Sequence, residues 1–174
     1  MQDYETRLVD SSRMIADIMV ADIGNDQEKF DEMMVLALKD IYPLSMRAAR
    51  IIELGMPKHI NLFKPHIDKI IRLLPSVKVD GLKRNFLKIF ADSPIYMDEE
   101  LSGQLVDLAF NYLGDQKQAI SVRAYSIDIL VRFVRMYPEM KPELVAILES
   151  MCTDASVGLR LKSRKTIRLI SACQ

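Results

Sequence analysis

The 174-residue sequence contains no tryptophan, only six glycines and only 7% aromatic residues. An all-β fold needs many tight turns and aromatic strand pairs, so this composition argues against one. The two cysteines lie far apart in the sequence without a neighbouring histidine, which gives no sign of a disulfide framework or a zinc site. No apolar run approaches the roughly 18 residues that a membrane-spanning helix needs. These absences favour a globular helical protein.

An excess of charge of one sign is also missing, because 24 lysines and arginines balance 24 aspartates and glutamates. Such a chain exerts no general attraction on nucleic acid or on an anionic membrane. The balance is uneven along the sequence: residues 1–40 hold ten acids and four bases, a net charge of −6, and the rest carries +6. This polarity is common in elongated helical proteins, where it solvates the surface or serves end-to-end contacts.

Apolar residues recur at helical spacing almost throughout, and the prolines and glycines mostly fall between the apolar runs. The pattern predicts helices and no strand. Helices are predicted at about 3–21, 44–54, 98–113, 120–137 and 157–171, and further helices begin at Asn25, after Pro65, near Leu82 and after Pro142. In this interpretation Gly55 and Pro57 end the helix that begins at residue 44.

Four alternate helices begin with the same short pattern of a small residue, an apolar residue and a base. The apolar positions are spaced by 36, 40 and 37 residues: Met46, Leu82, Val122 and Leu159. An aspartate precedes each of them by two to seven residues: Asp40, Asp80, Asp115 and Asp154. A period of this size indicates stacked helix pairs, because one pair cannot bury its apolar face alone.

In these motifs the sequence resembles the HEAT and armadillo class of α-helical repeats, whose units pair two antiparallel helices and open the second with an aspartate and a Val-Arg-like step. The resemblance covers residues 28–171 as four units, with an additional N-terminal helix at 3–21. It implies an all-α fold, an α-α superhelix forming a single domain over residues 1–174. The second helices are expected to line its inner, concave face.

Motifs for catalysis or cofactor binding are missing from the sequence. We find no phosphate-binding glycine loop, no HExxH, no GxSxG and no EF-hand loop. The two histidines, His59 and His66, lie seven residues apart on either side of Pro65, and we interpret them as surface or turn residues. The sequence therefore favours a non-catalytic protein without metal or cofactor. The polar N terminus lacks the features of a secretory signal, which predicts a cytoplasmic location.

Basic residues on the second helices are the one polar constellation with a shared geometry. The candidate partner-binding residues are Arg47, Arg84, Arg123, Arg132, Arg135, Arg160, Arg164 and Arg168. Two interpretations are open. Either the arginines bond turn aspartates or carbonyls of the adjacent repeat, or they form a ladder that receives an acidic protein segment or phosphates.

Our leading hypothesis is a protein-interaction or scaffold module that binds a peptide or protein on its curved face without catalysis, by analogy with the fold class. The second hypothesis is nucleic-acid binding, with a resemblance to the DNA alkylation repair glycosylases built from the same repeats. Those enzymes use aromatic residues and a carboxylate in a basic groove, and no tryptophan is present here. A third alternative is that the chain completes a larger assembly.

Overall fold

A computed structural model describes residues 4–172, with the backbone but not the side chain of Asp154. Asp3 and Cys173 lie outside the described residues. The helices are α1 (Tyr4–Arg7), α2 (Arg13–Ile23), α3 (Gln27–Leu38), α4 (Leu44–Phe63), α5 (Ile67–Leu73), α6 (Asp80–Asp92), α7 (Glu99–Gly114), α8 (Ile120–Val134), α9 (Lys141–Asp154) and α10 (Val157–Ala172). Short 3-10 segments cover Lys64–His66, Leu74–Ser76 and Pro138–Met140. Residues 4–172 contain no strand, and the predicted all-α class is confirmed.

The helices form two compact units, α1 to α6 and α7 to α10, which divide between Tyr96 and Met97. In the first unit α3 packs on α4, and α4 also contacts α2 and α6. In the second unit α7 packs on α8, α9 packs on α10, and α8 contacts α10. The second unit thus consists of two consecutive helix pairs whose second helices touch, and α4 and α6 touch in the same way in the first unit. No helix within residues 4–172 is both long enough and apolar enough to cross a membrane.

Polar contacts between successive helix pairs join residues that lie about one repeat length apart in the sequence. Arg47 donates from Nη1 to the carbonyl oxygen of Leu8 at 2.8 Å, and Asn85 donates from Nδ2 to the carbonyl oxygen of Met46 at 3.1 Å. Each pair is separated by 39 positions. Side chains at separations of 34 or 35 form further bridges of this kind: His66 to Asp31, Lys88 to Glu53 and Lys162 to Asp128.

Asp40 ties the turn between α3 and α4 to the start of α6. Its Oδ2 accepts the N–H of Lys78 at 2.8 Å and its Oδ1 accepts the N–H of Val79 at 2.9 Å. Val79 is the N-cap residue of α6 and has no side-chain cap of its own. The carboxylate of one repeat therefore lies at the positive end of the second helix of the next repeat, where negative charge is favourable.

Two other aspartates of the sequence pattern, Asp80 and Asp115, make contacts within their own segments. Asp115 accepts the N–H of Lys117 within its own turn at 2.9 Å. A hydrogen bond from the Gln118 side chain, together with that backbone bond, lowers the pKa of Asp115. Asp80 lies in the first turn of α6, with Oδ1 4.0 Å from Nζ of Lys83. The side chain of Asp154 is outside the described part of the chain.

The structure divides the predicted helix over residues 3–21 into α1 and α2. Ser12 is the N-cap of α2, and its Oγ accepts the N–H of Ile15 at 3.3 Å. Asp10 Oδ1 accepts the N–H of Ser12 at 2.7 Å. These short polar side chains offer the backbone hydrogen bonds that compete with helix formation. The predicted start at Asn25 is also displaced, because Asp26 is the residue that caps α3.

The predicted end of the third helix at residue 54 is wrong, because α4 continues to Phe63. Pro57 lies inside this helix, where it donates no hydrogen bond and would ordinarily cost about 3 kcal/mol. The buried face of the helix includes Met56, directly before the proline, and continues past it at His59 and Phe63. Burial of this face in the core outweighs the local signal to stop.

His59 is a core residue, so its interpretation as a surface or turn histidine is also wrong. Its side chain is 1% exposed, and neither ring nitrogen has a hydrogen-bond partner within residues 4–172. The ring lies edge-on to Phe30 at a centroid distance of 6.0 Å. Burial, reinforced by the charge of Lys58, lowers the pKa of His59. His66 is half-buried, with Nε2 2.7 Å from Asp31 Oδ1.

Two helical glycines differ in what a methyl group would meet, and we expect opposite effects from the same substitution. A β-carbon at Gly55 would lie 2.5 Å from Nδ1 of the buried His59, whereas one at Gly103 meets no atom within 4 Å. Gly103→Ala should raise the free energy of unfolding by about 1 kcal/mol through helix propensity. Gly55→Ala should lower it by about 1–3 kcal/mol through overpacking. Urea denaturation measures both, and equal stabilisation by the two would contradict this packing.

The buried His59 should make stability depend on pH. Because its folded-state pKa lies below the unfolded value near 6.5, the unfolded chain binds the extra proton as pH falls. The contribution of the neutral ring is complete above the unfolded pKa and is lost as pH falls below it. From about pH 7 to about pH 5 the wild type should therefore lose more free energy of unfolding than His59→Leu. Urea titrations across this range test it, and parallel pH profiles would contradict it.

Candidate functional site

Two of the eight predicted arginines bind carbonyl oxygens of the chain itself. Arg123, on α8, is 9% exposed, and its Nε donates to the carbonyl oxygen of Leu113 at 3.0 Å. Arg47, on α4, is half-buried and bound to the Leu8 carbonyl described above. Both guanidinium groups thus satisfy backbone acceptors that lie outside their own helices. The Arg47 bond reaches the segment before α2, whereas the Arg123 bond stays within the pair of α7 and α8.

Two further arginines are half-buried and engaged. Arg84, on α6, donates from Nη2 to Oδ1 of Asn85 at 3.3 Å. Arg132, on α8, also has a partner. Asp128, one turn before it, binds Lys162 of α10, whose Nζ donates to the two carboxylate oxygens at 2.6 and 2.8 Å. This bridge joins the second helices of two consecutive pairs.

The other predicted arginines are Arg135, Arg160, Arg164 and Arg168. Arg135 is exposed just after α8, and Arg160 is half-buried near the start of α10. Arg164 and Arg168 are exposed and lie one turn apart, with Lys165 exposed beside them. For Arg164, Lys165 and Arg168 we find no ion pair or hydrogen bond among the described residues.

The exposed side of α10 combines positive charge with large apolar side chains. The helix carries five bases and no acid. Leu159, Ser163, Thr166 and Ile170 make its buried side, whereas Val157, Leu161 and Leu169 are each between 45% and 62% exposed. We call the exposed set the basic face of α10: Val157, Leu161, Arg164, Lys165, Arg168 and Leu169. Sequence analysis identified its arginines but not its apolar members. The helical spacing of the buried residues was the signal that places Val157, Leu161 and Leu169 on the opposite side of the helix.

Two grooves lie within the second unit. One of about 370 Å³ is bordered by Arg123, the Leu113–Gly114 end of α7 and apolar residues of α9. The other, of about 260 Å³, lies between α7 and the end of α8 and has Glu99, Asp107 and Glu139 around Phe133 and Tyr137. The two aromatic rings stack with centroids 6.5 Å apart. Their four-residue spacing in the sequence already indicates that the two rings lie on the same side of the chain.

Neither groove assembles an evident set of catalytic groups. The Arg123 Nε is already bound to the Leu113 carbonyl, and the second groove has acidic side chains without a base in its lining. Among residues 4–172, apart from the Asp154 side chain, no three His, Cys, Asp or Glu side chains are grouped as metal ligands.

Comparison with protein families agrees with the packing of consecutive helices described above. The model of the HEAT repeat domain matches residues 5–170, which is almost the entire sequence. Comparisons with curated proteins and with solved structures gave no match. The match begins within α1 and ends within α10, so it includes both compact units. On this evidence the chain belongs to the HEAT repeat family.

Proposed function

We propose that this protein is a non-catalytic interaction module whose partner is a protein or peptide segment that carries acidic and apolar side chains. The surface that receives it is the basic face of α10. The observation that carries this proposal is the exposure of three cations, with no acid on the helix, beside three large apolar side chains. The cytoplasmic location expected from the sequence stays a prediction.

The combination of residue types on α10 separates an interface from a merely solvated surface. Single exposed apolar residues are ordinary, but a cluster of them on one helix favours burial against another molecule. Arginine is enriched in protein interfaces because its planar guanidinium binds carboxylates through two hydrogen bonds and also packs on apolar surface. Arg164 and Arg168, beside Leu161 and Leu169, offer both kinds of contact.

A protein partner fits this face better than nucleic acid. Single-stranded nucleic acid is bound by aromatic side chains that stack on bases, and α10 contains no aromatic residue. Contacts with phosphates would engage the arginines and leave Val157, Leu161 and Leu169 exposed to water. An acidic helix or strand with apolar side chains would cover both parts of the face.

Fluorescence anisotropy with the full chain tests this proposal. The probes are a labelled helical peptide of glutamate and leucine, its glutamine and leucine counterpart, duplex DNA and RNA. We expect the acidic peptide to bind at about 50 mM salt and more weakly at about 200 mM, because salt screens exposed charges. Arg164→Glu with Arg168→Glu should reduce its affinity roughly tenfold or more, since reversal replaces attraction by repulsion.

The matched control is Lys64→Glu with Lys69→Glu, which makes the same change in net charge at exposed positions of the first unit. This control should bind the acidic peptide like the wild type. Absence of peptide binding at low salt, or an equal loss in the control, would overturn the proposal. Binding of DNA or RNA that requires Arg164 and Arg168, without peptide binding, would replace it by the nucleic-acid alternative.

A further inference from the structure

Large exposed apolar side chains also occur together in and just before α2. Val9, Met14 and Ile18 are between 48% and 69% exposed, like the apolar members of the basic face of α10. Ala16, Met19, Val20 and Ile23 form the buried side of α2. Met14 and Ile18 lie one turn apart on the opposite side of the helix, and the exposed Asp17 and Ala21 continue the same stripe.

This stripe carries the opposite charge to α10. The exposed charged residues within residues 4–23 are Glu5, which is bound to Lys39, and then Asp10 and Asp17 against Arg13, a remaining net charge of −1. Arg13 donates to Asp17 at 2.8 Å within the same helix, in an exposed pair of the weak kind that a stronger partner can exchange. We call Val9, Asp10, Met14, Asp17 and Ile18 the acidic face of α2.

We infer that a second copy of this chain covers the basic face of α10 with its acidic face of α2. The inference rests on the proposed function of α10 as an interaction surface and names the partner. Met14 and Ile18 of one copy then pack on Leu161 and Leu169 of the other. Asp10 and Asp17 face Arg164 and Arg168, so apolar burial and charge attraction act at the same contact.

The signs of the charges select the geometry of this association. Two copies that met through their α10 faces would bring like charges together, as would two that met through their α2 faces. The contact is therefore heterologous, with α2 of one copy on α10 of the next. Such a contact leaves one free face of each kind on a dimer, so it extends into linear oligomers or closes into a ring. It continues between molecules the stacking by which repeats cover one another.

Sedimentation velocity of the full chain tests the inference. At about 50 mM salt the wild type should form oligomers that grow with concentration, and raising salt should dissociate them. One variant reverses the face of α2 (Asp17→Lys with Ala21→Lys), and the other reverses α10 (Arg164→Glu with Arg168→Glu). The association of each variant alone should be weaker than that of the wild type by roughly tenfold or more. An equimolar mixture of the two should associate again, because the intact α10 of one variant meets the intact α2 of the other and the two reversed faces also carry opposite charges.

The mixture also guards against misfolding, since two variants that restore association together are both folded. Lys64→Glu with Lys69→Glu is the control and should associate like the wild type. A wild type that is monomeric at every concentration at low salt would overturn the inference. So would oligomers that persist in both variants, or a mixture of variants with native circular dichroism that stays monomeric.

The variant of α2 separates this inference from the proposed function, because it keeps the basic face of α10 but loses the self-partner. If it binds the acidic peptide while the wild type is monomeric, self-association is wrong and the proposed function stands. If the wild type oligomerises through these faces and the variant binds no acidic peptide, the general proposal is wrong and the contact is specific to the second copy.

Discussion

Hydrogen bonds that link one helix pair to the next are the constraint on which the rest of this structure depends. They join residues 34–39 positions apart, close to the repeat spacing of 36–40, so each bond fixes the register of one pair against its neighbour. A helix pair cannot bury its apolar face alone, and a wrong register would expose that face. Asp40 adopts a positive φ of 56°, a conformation that is uncommon for a residue with a side chain, and holds two backbone N–H groups of the following repeat there.

Local sequence signals predicted the helices where local and long-range forces agree. Asp98 caps α7 and the apolar period of α6 ends at Asp92, so those elements follow from the sequence. The signals failed where burial opposes them: α4 passes through Gly55 and Pro57 because Met56, His59 and Phe63 continue its buried face. Gly55 is itself explained by the fold, since its lack of a side chain makes room for His59. A glycine that resembles a helix end is in this case a packing requirement between two turns of one helix.

The candidate site was less predictable than the fold, for a physical reason. Equivalent repeat positions identified Arg47, Arg123 and Arg160 as a set, but the role of each depends on which carbonyl or carboxylate lies beside it in space. Arg47 and Arg123 meet free carbonyl oxygens and are bound there. Whether α10 exposes its bases depends on the absence of a covering helix within the described chain, which periodicity does not report. The pairing of each arginine therefore depends on the helix packed beside it, in the same pair or the next, whereas helix formation is mostly a property of the segment.

The uneven charge of a neutral chain gains a meaning from this arrangement. If the acids and bases served solvation alone, neither would need to lie beside exposed apolar side chains, since charged groups keep a surface soluble without them. Instead Asp10 and Asp17 accompany exposed apolar residues at α2, and the bases of α10 accompany those of that helix, at positions far apart in the sequence. Opposite charges at the two places disfavour contact between like faces and favour contact between unlike ones. Within the chain, repeats are ordered by burial of an apolar face and by polar contacts that fix the register. The same two interactions then select what binds to the exposed helices.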